Sequence, residues 1–304
     1  MTHGYAVNTT LDPGQNERES AVFEETARHG CSDRAIALFR DIILDYYRSS
    51  GRRLPWRETR DPFAITVSEM MLQQTQVDRV IPKYRAFLAA FPDWHTLAAA
   101  PVRDVLAAWQ GLGYNRRALA LHRTAQRVVG EFGGVLPADP KILATFPGIG
   151  PATASAICAY AFNLPVVYIE TNIRRIFIHF FFAGKEQVSD SEVLACVGRA
   201  LYREDPREWY NALMDYGTVL ARRVANPNRK SAGYAVQGRF EGSDRQIRGR
   251  ILRILLERGG SIVADLVAAA GGDEARVRAL LAELEKEGFV IVRDERAALQ
   301  GDRN

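Results

Sequence analysis

Cysteine is scarce in this chain: 304 residues hold three, Cys31, Cys158 and Cys196. They are too few and too scattered for a disulfide framework, and the shortage points to a reducing, cytoplasmic setting. Long apolar runs are missing as well. No stretch of 18 apolar residues occurs, which excludes a helix spanning a bilayer. The first residues lack a basic flank followed by an apolar block, so no secretory signal is expected. Strand-like alternation is nearly absent from residues 33–225, which argues against a β-rich body. No segment repeats at a period of about 20 to 50 residues, which weighs against a solenoid.

What is present is the composition of a soluble, folded protein. Hydrophobic residues make up 47% and charged residues 25%, with 13 Pro and 24 Gly at ordinary use. The length suffices for a sizeable core and two domains. The net charge of +4, with a pI near 9.0, is unevenly spread. Residues 33–230 hold 26 basic and 19 acidic side chains, a net +7, whereas residues 231–304 balance 12 against 12 and residues 1–32 carry −3. A basic middle is what an anionic partner such as nucleic acid needs.

Residues 1–32 read as a disordered tail: the stretch 8–16 is polar and rich in breakers, and no periodicity runs through it. Helical patterns begin at Ser32 or Asp33, either of which can cap a helix to about Ser49. Its apolar set, Ile36, Phe39, Ile43, Tyr46 and Tyr47, repeats at three and four residues until Gly51. A second helix carries Val77, Val80, Ile81, Tyr84, Phe87 and Leu88 on one face and stops at Pro92. Further helices fit near 96–99, 102–109, 115–131, 140–145, 151–161, 172–181, 190–202 and 206–220. Residues 33–225 therefore read as an all-α domain. The turn-rich run 226–233 opens an extended linker that reaches Gly242. Over 243–304, Ser243 and Gln246 are expected to form a capping box, and a short helix follows at 261–269. Asp273 caps a third helix ending at Gly288, and 289–292 and 297–299 suggest a hairpin. Three helices and a two-stranded ribbon resemble a winged-helix module.

Four segments carry chemistry. Phe146-Pro147-Gly148-Ile149-Gly150 runs into Pro151-Ala152-Thr153-Ala154. Gly148 and Gly150 allow a tight turn with positive φ, and Pro151 suits a helix start. A hairpin feeding a helix N-terminus offers backbone N–H groups to phosphate; alone, it is equally an ordinary connection between helices. In residues 68–76, Gln73, Gln74 and Gln76 offer amide groups for base edges or for filling a gap in a duplex. Glu69 lies there in apolar company, where a carboxyl takes a raised pKa and can act as a general acid; alone, it reads as a solvated Glu at a helix start. In residues 166–175, Glu170 ends an apolar run before a helix, where a pocketed carboxylate stabilises developing positive charge. The plainer reading has Thr171 or Asn172 capping the helix while Glu170 favours its dipole. In residues 111–117, Tyr114 beside two glycines, with Arg116 and Arg117, suits duplex wedging and phosphate contact, or a solvated basic turn.

In this order the segments resemble the helix-hairpin-helix DNA glycosylases, and within them the MutY-type adenine glycosylases. Leu54-Pro55-Trp56-Arg57 matches that family's approach to its catalytic helix. The run from Ser68 to Val77 is the most specific part of a match covering about residues 34–225. The resemblance implies a mainly α, two-lobed helix-hairpin-helix glycosylase domain that flips a base from the duplex into a pocket between helical subdomains. It makes Glu69 the catalytic acid, which protonates a purine ring nitrogen and then assists water. Glu170 stands where the family has an aspartate that stabilises the oxocarbenium-like sugar, and Asn172 matches an asparagine supporting that site. Two carboxylates with divided roles suit glycosidic cleavage. Gln74 and Tyr114 match residues that fill or wedge the gap. Gln73, Gln76, Arg116, Arg117, Gly148, Gly150 and Thr153 are expected on the DNA, and Leu72 and Ala152 at the base pocket.

The chain departs from the family pattern in several places. Glu170 is one methylene longer than aspartate, and a misplacement of about 1 Å can cost about 10²-fold in rate; Asn172 keeps the rest of the motif and favours an active enzyme. Relatives resembling endonuclease III carry a lysine after the hairpin. Ala152, or Pro151 in a slipped register, stands there, so a monofunctional glycosylase is expected. The four cysteines that usually hold an iron–sulfur cluster are missing after Cys196, so no cluster and no metal are expected. Residues 226–242 are expected to replace that loop as a basic DNA contact, with Arg222, Arg223, Arg229, Lys230 and Arg239. MutY-type enzymes commonly end in a β-rich domain that reads 8-oxoguanine, and residues 243–304 are too few and too helical for one.

The expected function is base excision repair: hydrolysis of the N-glycosidic bond of a mispaired or damaged base, adenine first. Removal of thymine or uracil mismatched with guanine is the second reading. Relatives of that kind often have Tyr just past the hairpin, and the small Ala152 leaves room for a purine. A non-catalytic binder of distorted DNA is the third, and Glu69 with Glu170 speaks against it. The expected partner is double-stranded DNA with a mismatched or damaged base, met by a monomer in the cytoplasm at the nucleoid. The C-terminal module is open to DNA or to a protein.

Overall fold

A computed structural model describes residues 13–234 and 238–302. Its helices are α1 (Pro13–His29), α2 (Asp33–Ser50), α3 (Pro62–Leu72), α4 (Val77–Ala90), α5 (Trp94–Ala99), α6 (Val102–Trp109) and α7 (Arg116–Phe132). They continue as α8 (Pro140–Leu143), α9 (Pro151–Phe162), α10 (Thr171–Phe181), α11 (Asp190–Ala200), α12 (Pro206–Arg223), α13 (Asp244–Arg258), α14 (Val263–Ala270) and α15 (Glu274–Lys286). Three short strands, β1 (Ser261–Ile262), β2 (Val290–Arg293) and β3 (Arg296–Leu299), form an antiparallel sheet in the order β1-β3-β2. The mainly α reading holds. The chain divides into two compact units, one of residues 1–65, 138–144 and 150–236, the other of residues 66–137, 145–149 and 237–304.

The first unit is built on an aromatic core. Phe39 of α2 meets Phe177, Phe180 and Phe181 of α10 edge-on at ring centroid distances of 5.2, 5.3 and 5.1 Å, and Trp209 of α12 at 5.8 Å. Such pairs add roughly 0.5–1.5 kcal/mol each beyond the area they bury. α2 starts where expected, with the Ser32 hydroxyl accepting from the Ala35 amide. Residues 13–29 correct the expectation of a disordered tail, because they form α1; residues 1–12 lie outside the described residues. α1 has few apolar residues, but its Val22 is fully buried and Phe23 stacks on Phe180 at 5.3 Å. Glu19 accepts from the Tyr216 hydroxyl and from Arg223 Nη1 at 2.9 Å. Burial lifts the Tyr216 hydroxyl well above its ordinary range, and the Glu19 carboxylate adds to the shift.

Two other expectations change in this unit. Cys31 and Cys196 form a disulfide across 165 residues of chain, with a Cα–Cα distance of 6.4 Å. The α1–α2 loop and α11 meet in space, which spacing along the chain does not reveal, so the cysteine count does not speak for a reducing compartment. The stretch 226–234 is also not an extended linker. Pro227–Lys230 is a 3₁₀ turn, Val188 and Ser231 share a parallel bridge, and Asn228 is buried with its Nδ2 donating to the Thr171 carbonyl at 3.0 Å.

In the second unit α13, α14 and α15 enclose Ile247, Ile251, Leu255, Leu266, Leu281 and Leu284. The winged-helix order is as read, with the extra strand β1. Asp294 and Glu295, both at positive φ, make the two-residue turn between β2 and β3 that the strand twist favours. The expected Ser243–Gln246 capping box does not form: Ser243 Oγ donates to the Phe240 carbonyl and Gln246 Oε1 accepts from the Gly242 amide. A capping box is found instead at Ser189 and Glu192. The module is joined to α6 and α7 by charge. Arg103 binds Asp302 at 2.8 Å and the Leu256 carbonyl at 2.7 Å, and Arg123 donates to the Glu287 carbonyl at 2.7 Å. A boundary at residue 225 therefore does not separate the compact units.

Candidate active site and nucleic-acid interface

Glu69 sits in the last two turns of α3, half-buried between fully or nearly fully buried Ser68 and Met70. The Asp61 carboxylate caps the start of this helix, accepting from the amides of Phe63 and Ala64 at 3.1 Å. The 3₁₀ turn Pro55–Arg57 leads into it, and Arg57 is fixed by a two-pronged bond to Asp215 of α12, both contacts 2.8 Å. Arg52 adds its amide and Nε to the same carboxylate at 2.7 and 2.6 Å. Burial alone would raise the Asp215 pKa, but the Arg57 and Arg52 guanidiniums hold it below the usual carboxylate range.

Arg117 corrects an expectation. It is buried, and its Nη1 donates to the carbonyls of Met70, Met71 and Gln73 at 2.9, 3.0 and 2.5 Å. Its Nη2 donates to Thr75 Oγ1 and to the Gly113 carbonyl at 3.0 and 3.1 Å. A cation placed on the last carbonyls of α3 complements the negative end of that helix. Burial, with Arg79 adding to it, pulls its pKa down to about 10, and enclosure by protein turns this side chain away from the role of a phosphate contact. Arg116 is likewise engaged, by Glu287 at 2.9 and 2.5 Å.

What Arg117 does instead is tie two loops together. Gln74 and Tyr114 have φ of +56° and +48°, and of the other described non-glycine residues with positive φ only Asn163, Asp294 and Glu295 join them. The last two form a turn and Asn163 ends α9, where left-handed backbone is common. For Gln and Tyr it costs roughly 1–2 kcal/mol, and such outliers cluster at functional sites. Gln73 Nε2 donates to the Gly148 carbonyl at 3.2 Å, which brings the hairpin to the same place. Gly148 has φ of +71°, and a Cβ there would meet Ala120 Cβ at 2.7 Å, so only glycine fits. Gly150 differs from expectation: its φ is −82° and it serves as the N-cap of α9, with Pro151 next. Gln74, Gln76, Gly148 and Gly150 are exposed. Thr153 and Ala152 lie in the first turn of α9, and Leu72 at the last residue of α3 is half-buried.

Glu170 is itself the N-cap of α10, in place of Thr171 or Asn172. Its Oε1 accepts from the Asn172 and Ile173 amides at 2.6 and 2.8 Å. Burial pushes its carboxyl above the ordinary range, and the two amides with Arg175 and Arg174 offset this only in part. Asn172 Oδ1 accepts from Arg175 Nη1 at 2.6 Å, and the same nitrogen donates to the Gly217 carbonyl at 3.0 Å. A Cβ on Gly217 would stand 2.6 Å from Asn172 Cβ, so a glycine in α12 admits the asparagine. Arg175 and Gly217 escaped the sequence reading; the only signal was the position of Arg175 one turn after Asn172.

The cysteines do not fit a cluster of the four-thiolate kind. Cys31 and Cys196 are bonded to each other, and Cys158 is buried in α9 with its thiol pushed up to about 11 by burial and by Asp139. Among the described residues no group of three or more His, Cys, Asp and Glu could hold a metal ion. In the segment expected to replace the cluster loop, Arg223 is paired with Glu19, Lys230 Nζ donates to the Ala183 carbonyl at 2.6 Å, and Arg229 is exposed.

Residues 67–195 match the HhH-GPD superfamily of base excision DNA repair proteins. Over 280 residues the chain is 34% identical to an adenine DNA glycosylase of Mycolicibacterium smegmatis, covering 86% of this chain and 95% of that one. An adenine DNA glycosylase of Mycobacterium tuberculosis is 36% identical over 236 residues, 70% of this chain and 77% of the relative. The structure of a thermostable thymine-DNA glycosylase superposes with a TM-score of 0.54 at 22% identity over 60% of this chain and 85% of that one, a likeness of fold. Motif order, helical architecture and relatives agree: the chain belongs to the helix-hairpin-helix superfamily of base excision DNA repair glycosylases, with the MutY-type adenine glycosylases among its relatives.

Proposed function

We propose that this DNA glycosylase hydrolyses the N-glycosidic bond of adenine in mismatched duplex DNA and leaves an abasic site without cutting the strand. The observation that carries the reading is the Arg117 bracket. One guanidinium holds the Gln73 and Gly113 carbonyls, and Gln73 reaches Gly148, so two strained loops and the hairpin form one continuous face. Such a face can fill the gap left by a flipped base while the hairpin amides take the backbone. Glu69 delivers a proton to the purine ring, the bond from C1′ to the base breaks, and water adds to C1′ as its proton passes to Glu69. Glu170, short of water, stabilises the cationic sugar more strongly than a solvated carboxylate would. Adenine is supported by the names of the relatives, and the absence of strand cleavage by Ala152, which offers no amine where a lysine would form a Schiff base.

The test is a panel of duplexes carrying each mismatch, 8-oxoguanine pairs, uracil and hypoxanthine, heated in alkali after incubation. Cleavage only after alkali, with adenine opposite guanine or 8-oxoguanine the leading substrate, is expected; no product from any duplex would overturn the reading. The enzyme is proposed to act as a monomer at the nucleoid; among the described residues no helix is long and apolar enough to cross a membrane.

Arg229 and Lys230 are proposed as a backbone contact. Replacing both by Ala is expected to weaken binding to any duplex alike and to lower the slope of log affinity against log salt by about 1 to 2. An unchanged slope would remove the segment from the interface.

A further inference from the structure

The third helix of the C-terminal module has its arginines engaged within the module. On α15, Arg276 is paired with Asp244 at 2.7 Å, and Arg278 with Glu274 at 2.9 Å and Glu295 at 3.0 Å. On α13, Arg248 is taken by Glu283 and Glu287 at 3.1 and 2.6 Å. These three arginines are thus paired with carboxylates of the module itself.

Arg245, in the first turn of α13, reaches outside the module. Its Nη1 donates to the Tyr114 hydroxyl at 2.5 Å, and its guanidinium carbon lies 5.5 Å from the Tyr114 ring centroid. Nη2 donates to the Gly238 carbonyl at 2.9 Å, and the ring of Phe240, 57% exposed, is 5.9 Å from the same guanidinium. Arg117 also stands over Tyr114, at 5.3 Å. Tyr114 follows Gly111 and Gly113, both at positive φ, in a loop with little stiffness of its own. Two guanidiniums and a hydroxyl bond therefore set the direction of this ring, and one of them comes from 131 residues further along the chain.

We propose that Arg245 is a positioning residue for base excision: through it the C-terminal module holds Tyr114 in the orientation that wedges between base pairs beside the flipped nucleotide. This rests on the gap-filling role given under the proposed function to the face that includes the Tyr114 loop. Holding an aromatic ring in place before binding removes an ordering loss from the binding step, and the cation over its face strengthens the hold. The occupant of this surface is an unstacked base step of duplex DNA, and Phe240 extends the apolar area next to it.

The test measures binding, so it does not depend on catalysis. Fluorescence anisotropy gives the dissociation constants of the full chain for a duplex with a tetrahydrofuran abasic site opposite guanine and for the undamaged duplex. Their ratio is the site preference. Arg245→Ala is expected to lower the preference about tenfold, the scale of one charge-assisted hydrogen bond. Arg245→Lys, which keeps a cation over the ring, restores part of it. In a Tyr114→Ala background the loss of Arg245 has no further effect, because one residue acts through the other. Arg278→Ala, which breaks pairs inside the module, leaves the preference unchanged. An additive loss in the Tyr114→Ala background, an equal loss in Arg278→Ala, or an unchanged or raised preference in Arg245→Ala would overturn the inference while the proposed function stands. A parent protein with no preference for the abasic duplex would overturn both.

Discussion

Glu69→Gln is expected to lower the single-turnover rate of base excision by about 10²- to 10⁴-fold, the range that a positioned general acid contributes. Glutamine keeps the length and polarity of the side chain but has no proton to give to the leaving purine. Without it the base must depart as an anion while the sugar becomes a cation. The dissociation constant for mismatched duplex is expected to stay within about threefold, because α3 is held at its start by its cap at Asp61 and at its end by Arg117 on its last carbonyls. Quenched time courses with enzyme in excess over DNA separate chemistry from product release. Full activity in the variant would reject Glu69 as the acid.

Asp215→Asn is expected to destabilise the first compact unit by about 3–5 kcal/mol, the cost of removing one partner from a buried ion pair. Asp215 is 1% exposed and receives bonds from two arginines, so an amide in its place leaves both guanidiniums without their counter-charge. The midpoint of thermal unfolding should fall on the order of 10 °C at neutral pH. The pH dependence follows from the depressed carboxyl. Its contribution is complete above about pH 4, where the unfolded-state carboxyl is ionised, and is lost as pH falls through the lower folded value. Parent and variant should therefore differ most at neutral pH and converge in acid. A shift below about 2 °C at pH 7, or a difference that persists in acid, would mean that the pair contributes little. Because Arg57 lies in the turn leading to α3, some of the loss should also reach the excision rate.

Much of this was legible in the sequence. The period of Ile36, Phe39 and Ile43 identifies α2, and Ile36, Phe39, Ile43 and Tyr46 carry that spacing into the core as buried residues. The hairpin, the glutamine run and the Glu170–Asn172 pair are local strings, and local strings survive as local structure: Gly148 is in the left-handed conformation and Pro151 opens α9. The partners of Arg116, Arg117 and Arg223 were not legible for one reason. A basic residue in a polar segment looks the same whether it meets water, phosphate or a distant carbonyl, and here a carboxylate 171 residues away, the end of α3, and Glu19 claim them.

The sequence by itself determined the helical class and the order of the family's motifs, because periodicity, turn residues and side-chain functional groups are properties of short segments. The tertiary structure decided the rest. α1 is a helix because Val22, Phe23 and Glu19 find α10 and α12; its own apolar stripe is too thin to announce it. Cys31 and Cys196 became partners only when α11 met the α1–α2 loop. The charge-neutral C-terminal module found its place by lending one arginine to Tyr114. Each of these depends on contacts between residues more than 130 positions apart, and no local pattern encodes a distance.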